Sequence, residues 1–408
     1  MFLEILFFIF LGISLGIISG LLPGLHVNTI YLLIPLFSAF FIDLNISVYG
    51  LITFIISAAI TSTIVDFIPS IFLGAPEEAT ALSVLPGHRL LLQGKGLEAL
   101  FLTTSGGVFT TLLFFVLTPL LLFILPIIHG LLKFYIAFVL LVICFFMILT
   151  EKNKERIFFS VLVFLLSGSL GIITLNSGIL PENFVLFPIF TGLFGIPTLL
   201  LSLKHKSNIP PQEEVIFNTE RKLIFSGSIK AFFASILLGL LPGVGAAQAT
   251  VLTQELTKKK DPREFLISVG GVNTAVALIS ILSLYTVKRA RSGAAIAIRN
   301  LLENFTIYDI LLLISVSLIS VGISAILTLY IGNKILKFIQ KFPYSKISLI
   351  ILILLFFLCF IFTGLNGILI LLVSTSIGII APLSKIKRSH SMGVLIIPVI
   401  LFYLGINF

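Results

Sequence analysis

The chain has 408 residues, of which 58% are hydrophobic and only 11% are charged, and its mean hydropathy is +1.21. Ordinary soluble domains carry about 25% charged residues. This composition therefore lacks the polar surface of a soluble enzyme, a secreted disulfide scaffold, a disordered regulator or a nucleic-acid-binding domain. The net charge of +9 resides in short basic clusters between apolar segments, which is typical of the cytoplasmic loops of a membrane protein.

The apolar segments are long and nearly continuous, as in the run from Leu112 to Ile128. A transmembrane barrel would need segments of about 10 residues with strict alternation, so helices are the expected way to satisfy the backbone within the bilayer. We predict an all-α polytopic membrane protein with about 10–12 transmembrane helices of about 20 residues each. The candidate segments are 3–22, 25–42, 47–72, 97–125, 131–150, 157–175, 184–203, 226–241, 264–287, 309–331, 347–363, 366–382 and 391–407.

The loops between these segments predict the orientation. Basic clusters are expected in the cytoplasm, and they occur at residues 151–156, 204–222, 258–263, 334–346 and 385–388. The N-terminus lacks the basic region of a cleavable signal peptide, so we expect the first segment to remain as a membrane helix. We therefore predict a multi-pass protein of the cell membrane with both termini outside.

A duplicated motif divides the chain into two halves. Gly20-Leu21-Leu22-Pro23-Gly24 recurs as Gly239-Leu240-Leu241-Pro242-Gly243, displaced by 219 residues. We predict a first membrane repeat over residues 1–203, a cytoplasmic linker over 204–225 and a second membrane repeat over 226–408. Two such repeats, commonly inverted and meeting near the bilayer midplane, are typical of secondary transporters.

Each Pro-Gly pair is expected to interrupt a helix, because proline removes a backbone donor and glycine permits unusual dihedral angles. The second pair lies between two cytoplasmic clusters, which favours a re-entrant hairpin. The amides that begin the following helix suit an anion, and the carbonyl oxygens freed before the break suit Na⁺. The alternative is a kink or tight turn with no ligand.

Polar residues near the two breaks complete a predicted substrate site. Their neutral oxygens could bind Na⁺, above all near Asn28, Thr29 and Gln248, or a substrate hydroxyl; interhelical hydrogen bonding is the alternative. His26 is either a pH-sensitive group or a hydrogen-bonding residue. The predicted substrate-binding residues are Pro23, Gly24, His26, Asn28, Thr29, Pro242, Gly243, Gln248, Asn273 and Thr274.

Asp66 lies within an otherwise apolar segment. A carboxylate at membrane depth is costly and suggests a function, so we predict that Asp66 binds the coupling cation or carries a proton. The alternatives are a helix-end residue near the headgroups or an ion-pair partner for Lys230. Asp43 and Asp309 are interpreted as residues at helix ends.

Signals for enzymatic chemistry are weak. No zinc-protease, P-loop or dinucleotide-binding motif occurs, and Cys144 and Cys359 have no metal-binding spacing. We predict a protein that is not an enzyme and has no cofactor apart from Na⁺ or H⁺ as a coupling ion. The cluster Lys288, Arg289 and Arg291 either anchors the chain at the membrane edge or attracts an anion.

Several motifs in chain order resemble TctA, the large membrane subunit of the tripartite tricarboxylate transporters. The two Leu-Pro-Gly elements are similar to its paired glycine-rich signatures. Residues 76–83, 86–89 and 93–100 resemble its Pro-Gly-Glu-Ala segment and the amphipathic stretch that follows, and residues 261–265 resemble its Pro-Glu-Glu-Phe loop. The resemblance spans about residues 12–290.

The resemblance implies two related halves of membrane helices and cation-coupled uptake of carboxylates. It also implies a small membrane subunit and an extracytoplasmic binding protein as partners. Within residues 76–83 it favours Glu78 as a coupling or gating residue. The alternative is that Glu77 and Glu78 occupy the first turn of a helix, where carboxylates are favoured by the helix dipole.

The sequence therefore predicts a secondary transporter for a small organic anion of the carboxylate class. The runner-up is a translocase for a lipid-linked phosphate such as polyprenyl phosphate, which the apolar bulk and the basic residues at 288–291 also suit. A non-transporting membrane scaffold is a third class. We expect the protein to lie in the lipid bilayer and to bind no nucleic acid. A homodimer is one expected assembly.

Overall fold

The helices follow from the apolar segments. A computed structural model describes residues 2–22, 46–74, 80, 84–132, 135–149, 151, 153–175, 177–180, 184–204, 210–212, 220–240, 246, 249–250, 261–288, 292–302, 304–339 and 344–406. Within these ranges the regular elements are all helical. In chain order they are α1 (Phe2–Leu21), α2 (Val48–Val65), a first π-helix (Pro69–Leu73), α3 (Val84–Leu92), α4 (Gly96–Leu132), α5 (Ile136–Leu149), α6 (Lys154–Leu175), α7 (Leu186–Phe190), a second π-helix (Thr191–Gly195), α8 (Ile196–Lys204), α9 (Arg221–Leu240), α10 (Pro262–Val287), α11 (Gly293–Leu301), α12 (Ile307–Ile339), α13 (Tyr344–Gly378), α14 (Ile380–Leu383), a 3₁₀-helix (Arg388–Met392) and α15 (Gly393–Tyr403).

The prediction of an all-α polytopic membrane protein is confirmed. In the described part of the chain, eight helices are long and apolar enough to cross a membrane, and three apolar helices are shorter. The predicted segment 25–42 lies outside the described residues. The helix count of 10–12 and the inverted arrangement of two repeats therefore stay predictions.

Two spans form the centre of the bundle. In both Val48–Leu73 and Pro262–Val287, 89% of the most apolar stretch is buried. The corresponding share is 28% in the spans of α1, α4 and α13, whose outer faces carry exposed Phe, Leu and Ile side chains. Lipid therefore surrounds the outer helices, whereas α2 and α10 are enclosed by protein.

Small residues bring α1 and α2 close together. Gly12, Gly16 and Gly20 recur every four residues on one face of α1, and side chains there would press on α2. A Cβ atom at Gly16 would lie 2.6 Å from the Cβ of Thr61. Such small-residue faces are the usual means of close helix packing in membranes, where the hydrophobic effect does not drive helices together.

Two helices differ from the predicted segments. α4 continues through Pro119 and Pro126 to Leu132, beyond the predicted end at residue 125; proline is tolerated in membrane helices when neighbouring groups satisfy the freed backbone. The predicted segments 347–363 and 366–382 form two arms of α13, which is broken at Gly364 with φ 64° and ψ −159°. Only glycine adopts these dihedral angles readily.

The contact between α4 and α10 also depends on glycine. We therefore expect that adding one methyl group at this contact lowers the stability of the protein substantially. A Cβ atom at Gly106 would overlap the carbonyl group of Ile267. We expect Gly106→Ala to destabilise the protein by about 1–3 kcal/mol or more, because backbone cannot move aside as a flexible side chain can. Thermal unfolding of the detergent-purified protein, followed by circular dichroism, measures the effect.

The matched control is Gly322→Ala in α12, because nothing lies within 4 Å of a Cβ atom at that position. Alanine has the higher helix propensity, so this variant should be neutral or slightly more stable. Equal melting temperatures for the two variants would contradict the close approach at Gly106.

Candidate functional site

Asp66 is buried at the point where α2 gives way to the first π-helix. It is the C-terminal capping residue of α2, its exposed fraction is 8%, and the chain continues to Leu73 within the same span. π-Helical turns occur frequently at functional sites. The residue is therefore both a helix end and a carboxylate inside a membrane span, so the two interpretations of its position are not exclusive.

Asn273 of α10 holds this carboxylate. Its Nδ2 donates hydrogen bonds to Oδ1 and Oδ2 of Asp66 at 3.2 and 3.0 Å, and to the carbonyl oxygen of Thr63 at 2.8 Å. Asn273 is 3% exposed. Two residues that are 207 positions apart and that the sequence nominated independently thus meet between the two most buried spans.

Lys230 is engaged elsewhere. Its Nζ lies 2.7 Å from Oε1 of Glu264, which also accepts a hydrogen bond from Ser226 Oγ at 2.5 Å. The predicted alternative of an Asp66–Lys230 ion pair is wrong. The Asp66 carboxylate accepts hydrogen bonds from the neutral amide of Asn273 instead.

Thr274 is turned away from Asp66. Its hydroxyl donates to the carbonyl oxygen of Gly270 at 3.1 Å, and a Cβ atom at Gly107 of α4 would lie 2.6 Å from that hydroxyl oxygen. It therefore contributes to the α4–α10 contact. This hydrogen bond of Thr274 thus lies within α10, whereas the alternative given for it from the sequence was a hydrogen bond between helices.

The residues just before the two Leu-Pro-Gly elements lie against the same central helices. A Cβ atom at Gly20 would lie 2.8 Å from the Cβ of Val65, next to Asp66, and Gly239 accepts a hydrogen bond from Ser283 Oγ at 3.3 Å through its carbonyl oxygen. Ser283 is about 15 Å from Asn273 along α10, at 1.5 Å per residue. The first element therefore begins close to the Asp66–Asn273 pair.

All of the remaining predicted site residues lie outside the described residues, and their roles stay predictions. These are Pro23, Gly24, His26, Asn28, Thr29, Glu78, Pro242, Gly243 and Gln248. The described residues contain no group of three or more metal-binding side chains. The Asp66 carboxylate and the Thr63 carbonyl oxygen are brought together by the Asn273 amide, which donates to both.

The predicted helix-end role of Asp309 is visible in the structure. Its carboxylate accepts hydrogen bonds at 2.7 Å from both the backbone and the hydroxyl of Thr306, at the start of α12. In the basic cluster, Lys288 caps α10 with φ 57° and its ammonium lies 5.3 Å from the ring centroid of Tyr285. Arg289 and Arg291 lie outside the described residues.

A second polar group was missed by the sequence interpretation. Arg388 was assigned to a basic cytoplasmic loop, but it is only 9% exposed. Nearby, Glu151 Oε1 lies 3.0 Å from Nε2 of the fully buried His390. The sequence signal is the polar run Arg388-Ser389-His390-Ser391, which comes directly before an apolar segment. Polar residues that enter the buried part of a membrane protein need hydrogen-bonding partners there.

Comparison with known proteins agrees with this architecture. The sequence model of the tripartite tricarboxylate transporter TctA family matches residues 6–393. The chain is also 33% identical over 416 residues to a protein of Methanocaldococcus jannaschii named Uncharacterized protein MJ1079, a match that covers 98% of this chain and 99% of the other. No solved structure matches the chain. With a family match over nearly its whole length, this membrane protein belongs to the tripartite tricarboxylate transporter TctA family.

Proposed function

We propose that the protein is a secondary active transporter that moves a small carboxylate across the cell membrane, driven by Na⁺ or H⁺. Membership of the TctA family supports the carboxylate class. The observation that carries the proposal is the Asp66–Asn273 contact between the two most buried spans. A carboxylate buried within a membrane span, where a charge is costly, is suited to bind and release a cation during each transport cycle.

The proposed substrate position is beside the first Leu-Pro-Gly element, close to this pair. The end of α1 packs against Val65, the residue before Asp66. A helix that begins after Pro23-Gly24 would direct its amide groups, which favour anions, toward the same region. Binding of the cation would then offset the charge of the entering carboxylate, which couples the two.

The partners follow from the family in the same way. The proposal includes a small membrane subunit and an extracytoplasmic binding protein that delivers the carboxylate. It also places the central linker, residues 204–225, in the cytoplasm, in line with the positive charge of the loops. Labelling of single cysteines introduced at Lys204 and Lys222 in intact cells tests that orientation.

Uptake by proteoliposomes tests the function. Vesicles with the purified protein should accumulate radiolabelled citrate, or another carboxylate from a panel that includes succinate, when an inward Na⁺ or H⁺ gradient is imposed. Ionophores that collapse the gradient should abolish the accumulation, because a secondary transporter has no other energy source. If no carboxylate moves under either gradient, with or without the partner proteins, the proposed function is wrong.

The Leu-Pro-Gly elements predict a second effect on transport. Gly24→Val and Gly243→Val should each lower the uptake rate to background while expression changes little, because a β-branched side chain restricts the dihedral angles that a helix break requires. The control is Gly130→Val, since a Cβ atom at Gly130 meets nothing within 4 Å. Wild-type uptake by both signature variants would remove these elements from the mechanism.

A further inference from the structure

A buried arginine outside the proposed coupling pair has no counter-charge within the described part of the chain. Arg388 begins the 3₁₀-helix before α15 and is 9% exposed. Among the residues that the structure describes, no carboxylate lies within ion-pair distance of it, and its Nε has no hydrogen-bond acceptor. Burial of an uncompensated charge is costly, of the order of several kcal/mol per ion, so such an arrangement calls for an anion.

Among the described residues, the hydrogen bonds of the guanidinium are made by Nη1. Nη1 donates to the carbonyl oxygen of Phe194 at 3.1 Å and to the hydroxyl oxygen of Thr198 at 2.6 Å. Phe194 belongs to the second π-helix and Thr198 to α8. With Nη1 fixed in this way, the edge formed by Nε and Nη2 remains, and this edge has the spacing to donate two parallel hydrogen bonds to a carboxylate.

The backbone on both sides of Arg388 is fixed in place. The Glu151 Oε1 atom accepts a hydrogen bond from the backbone N–H of Lys387 at 3.1 Å and lies 3.0 Å from the imidazole of His390. Lys385, three residues earlier, is exposed. The chain therefore turns Arg388 inward rather than leaving it in solvent with its basic neighbour, which argues against a role in orientation alone.

The surroundings of Arg388 come from distant parts of the chain. His88 of α3 is 5% exposed, and its Nδ1 lies 3.2 Å from the carbonyl oxygen of Ile71 in the first π-helix. Burial lowers the pKa of His88 below its ordinary value, against the opposing effect of the Ile71 carbonyl, and the positive charge of Arg388 adds to the lowering. The same π-helix ends at Gly74, where a Cβ atom would lie 4.0 Å from the Cγ2 of Thr198. The first π-helix, through Ile71 and Gly74, and the second, through Phe194, thus lie close to the surroundings of Arg388.

We propose that Arg388 is the residue that binds a carboxylate group of the transported anion, through its Nε–Nη2 edge. This assignment rests on the proposed function and adds a substrate-binding residue that neither the Leu-Pro-Gly elements nor the Asp66–Asn273 pair supplies. A planar, bidentate donor distinguishes a carboxylate from a halide or a neutral solute.

Binding of radiolabelled citrate to the detergent-purified full chain, measured by scintillation proximity, tests this assignment. We expect Arg388→Gln to weaken citrate binding by roughly 10- to 100-fold, the effect of losing a charge-assisted hydrogen-bonding group. Arg388→Lys keeps the charge but loses the bidentate edge, so it should also bind at least about tenfold more weakly. The control is Arg299→Gln, since Arg299 is an exposed arginine of α11, and it should bind citrate as the wild type does.

The outcomes separate this inference from the proposed function. Equal citrate affinity of the wild type, Arg388→Gln and Arg388→Lys overturns the assignment even if gradient-driven uptake is observed. Arg388-dependent citrate binding without uptake supports the assignment and contradicts transport. Absence of citrate binding by the wild type overturns the carboxylate site. If the Arg388 variants lose binding of a long-chain alkyl phosphate but bind citrate as the wild type does, the assignment is also overturned, and the ligand of Arg388 is a lipid phosphate. Rescue of Arg388→Glu by Glu77→Arg or Glu78→Arg would also overturn it, because the arginine would then serve an ion pair within the chain.

Discussion

Asp66→Asn should raise the Na⁺ concentration needed for half-maximal carboxylate uptake by roughly tenfold or more. A unit charge about 4 Å from a cation contributes about 1–4 kcal/mol, depending on the effective dielectric constant, and 1.4 kcal/mol corresponds to a factor of ten in affinity. Asparagine keeps the volume and one acceptor oxygen for the Asn273 amide, so the substitution removes charge with little change of packing. If the coupling ion is H⁺, the variant should instead lose its response to an imposed pH gradient.

The matched control for this experiment is Asp309→Asn. Asp309 is 2% exposed and its carboxylate accepts two hydrogen bonds at the start of α12, so its role is to cap a helix. Its substitution should lower stability by about 0.5–2 kcal/mol and leave the dependence of uptake on Na⁺ and pH unchanged. Superimposable uptake curves for the wild type and Asp66→Asn would remove Asp66 from the coupling mechanism.

Glu264→Gln and Lys230→Met should each destabilise the protein by about 3–5 kcal/mol, because each leaves a buried charge without its partner. The side chains of Lys230 and Glu264 are 14% and 6% exposed, and their Nζ and Oε1 atoms lie 2.7 Å apart. The double variant Lys230→Met/Glu264→Leu should recover most of the loss, since apolar replacement of a buried pair is often neutral. Unfolding of the detergent-purified protein by heat or by SDS, followed by circular dichroism, gives the comparison.

The chain offers a second ion pair as the control for this prediction. Arg263 Nε lies 3.0 Å from Oε1 of Glu98, but these side chains are 43% and 21% exposed. Glu98→Gln should therefore cost no more than about 1 kcal/mol. A Glu264→Gln variant that is as stable as Glu98→Gln would show that water reaches Lys230 and Glu264 in the folded protein.

Helix positions could be read from the sequence where long apolar runs end at polar residues. The predicted segments 157–175 and 264–287 correspond to Lys154–Leu175 and Pro262–Val287. The start of the second of these helices is marked in the sequence by the capping residue Asp261 and by a proline in the first turn. The predicted end of α4 was wrong. Proline usually ends a helix in water, but it is tolerated inside a membrane helix where neighbouring groups satisfy the freed backbone. The pattern of hydrophobicity thus predicted which segments form membrane helices. The rule that proline ends a helix failed inside the long helix α4.

The partners of the polar residues were decided by tertiary structure. Composition and hydropathy by themselves determined that the chain is a helical membrane protein. The single deep aspartate, Asp66, could also be identified from the sequence. Both inferences were possible because the burial of apolar side chains and the cost of a charge in lipid are properties of short segments. The pairing of Asp66 with Asn273 rather than Lys230, and the burial of Arg388 against Phe194 and Thr198, depend on helices far apart in the chain. A hydrogen bond between residues 207 positions apart leaves no periodic trace in either segment, so only the packing of the helices reveals it.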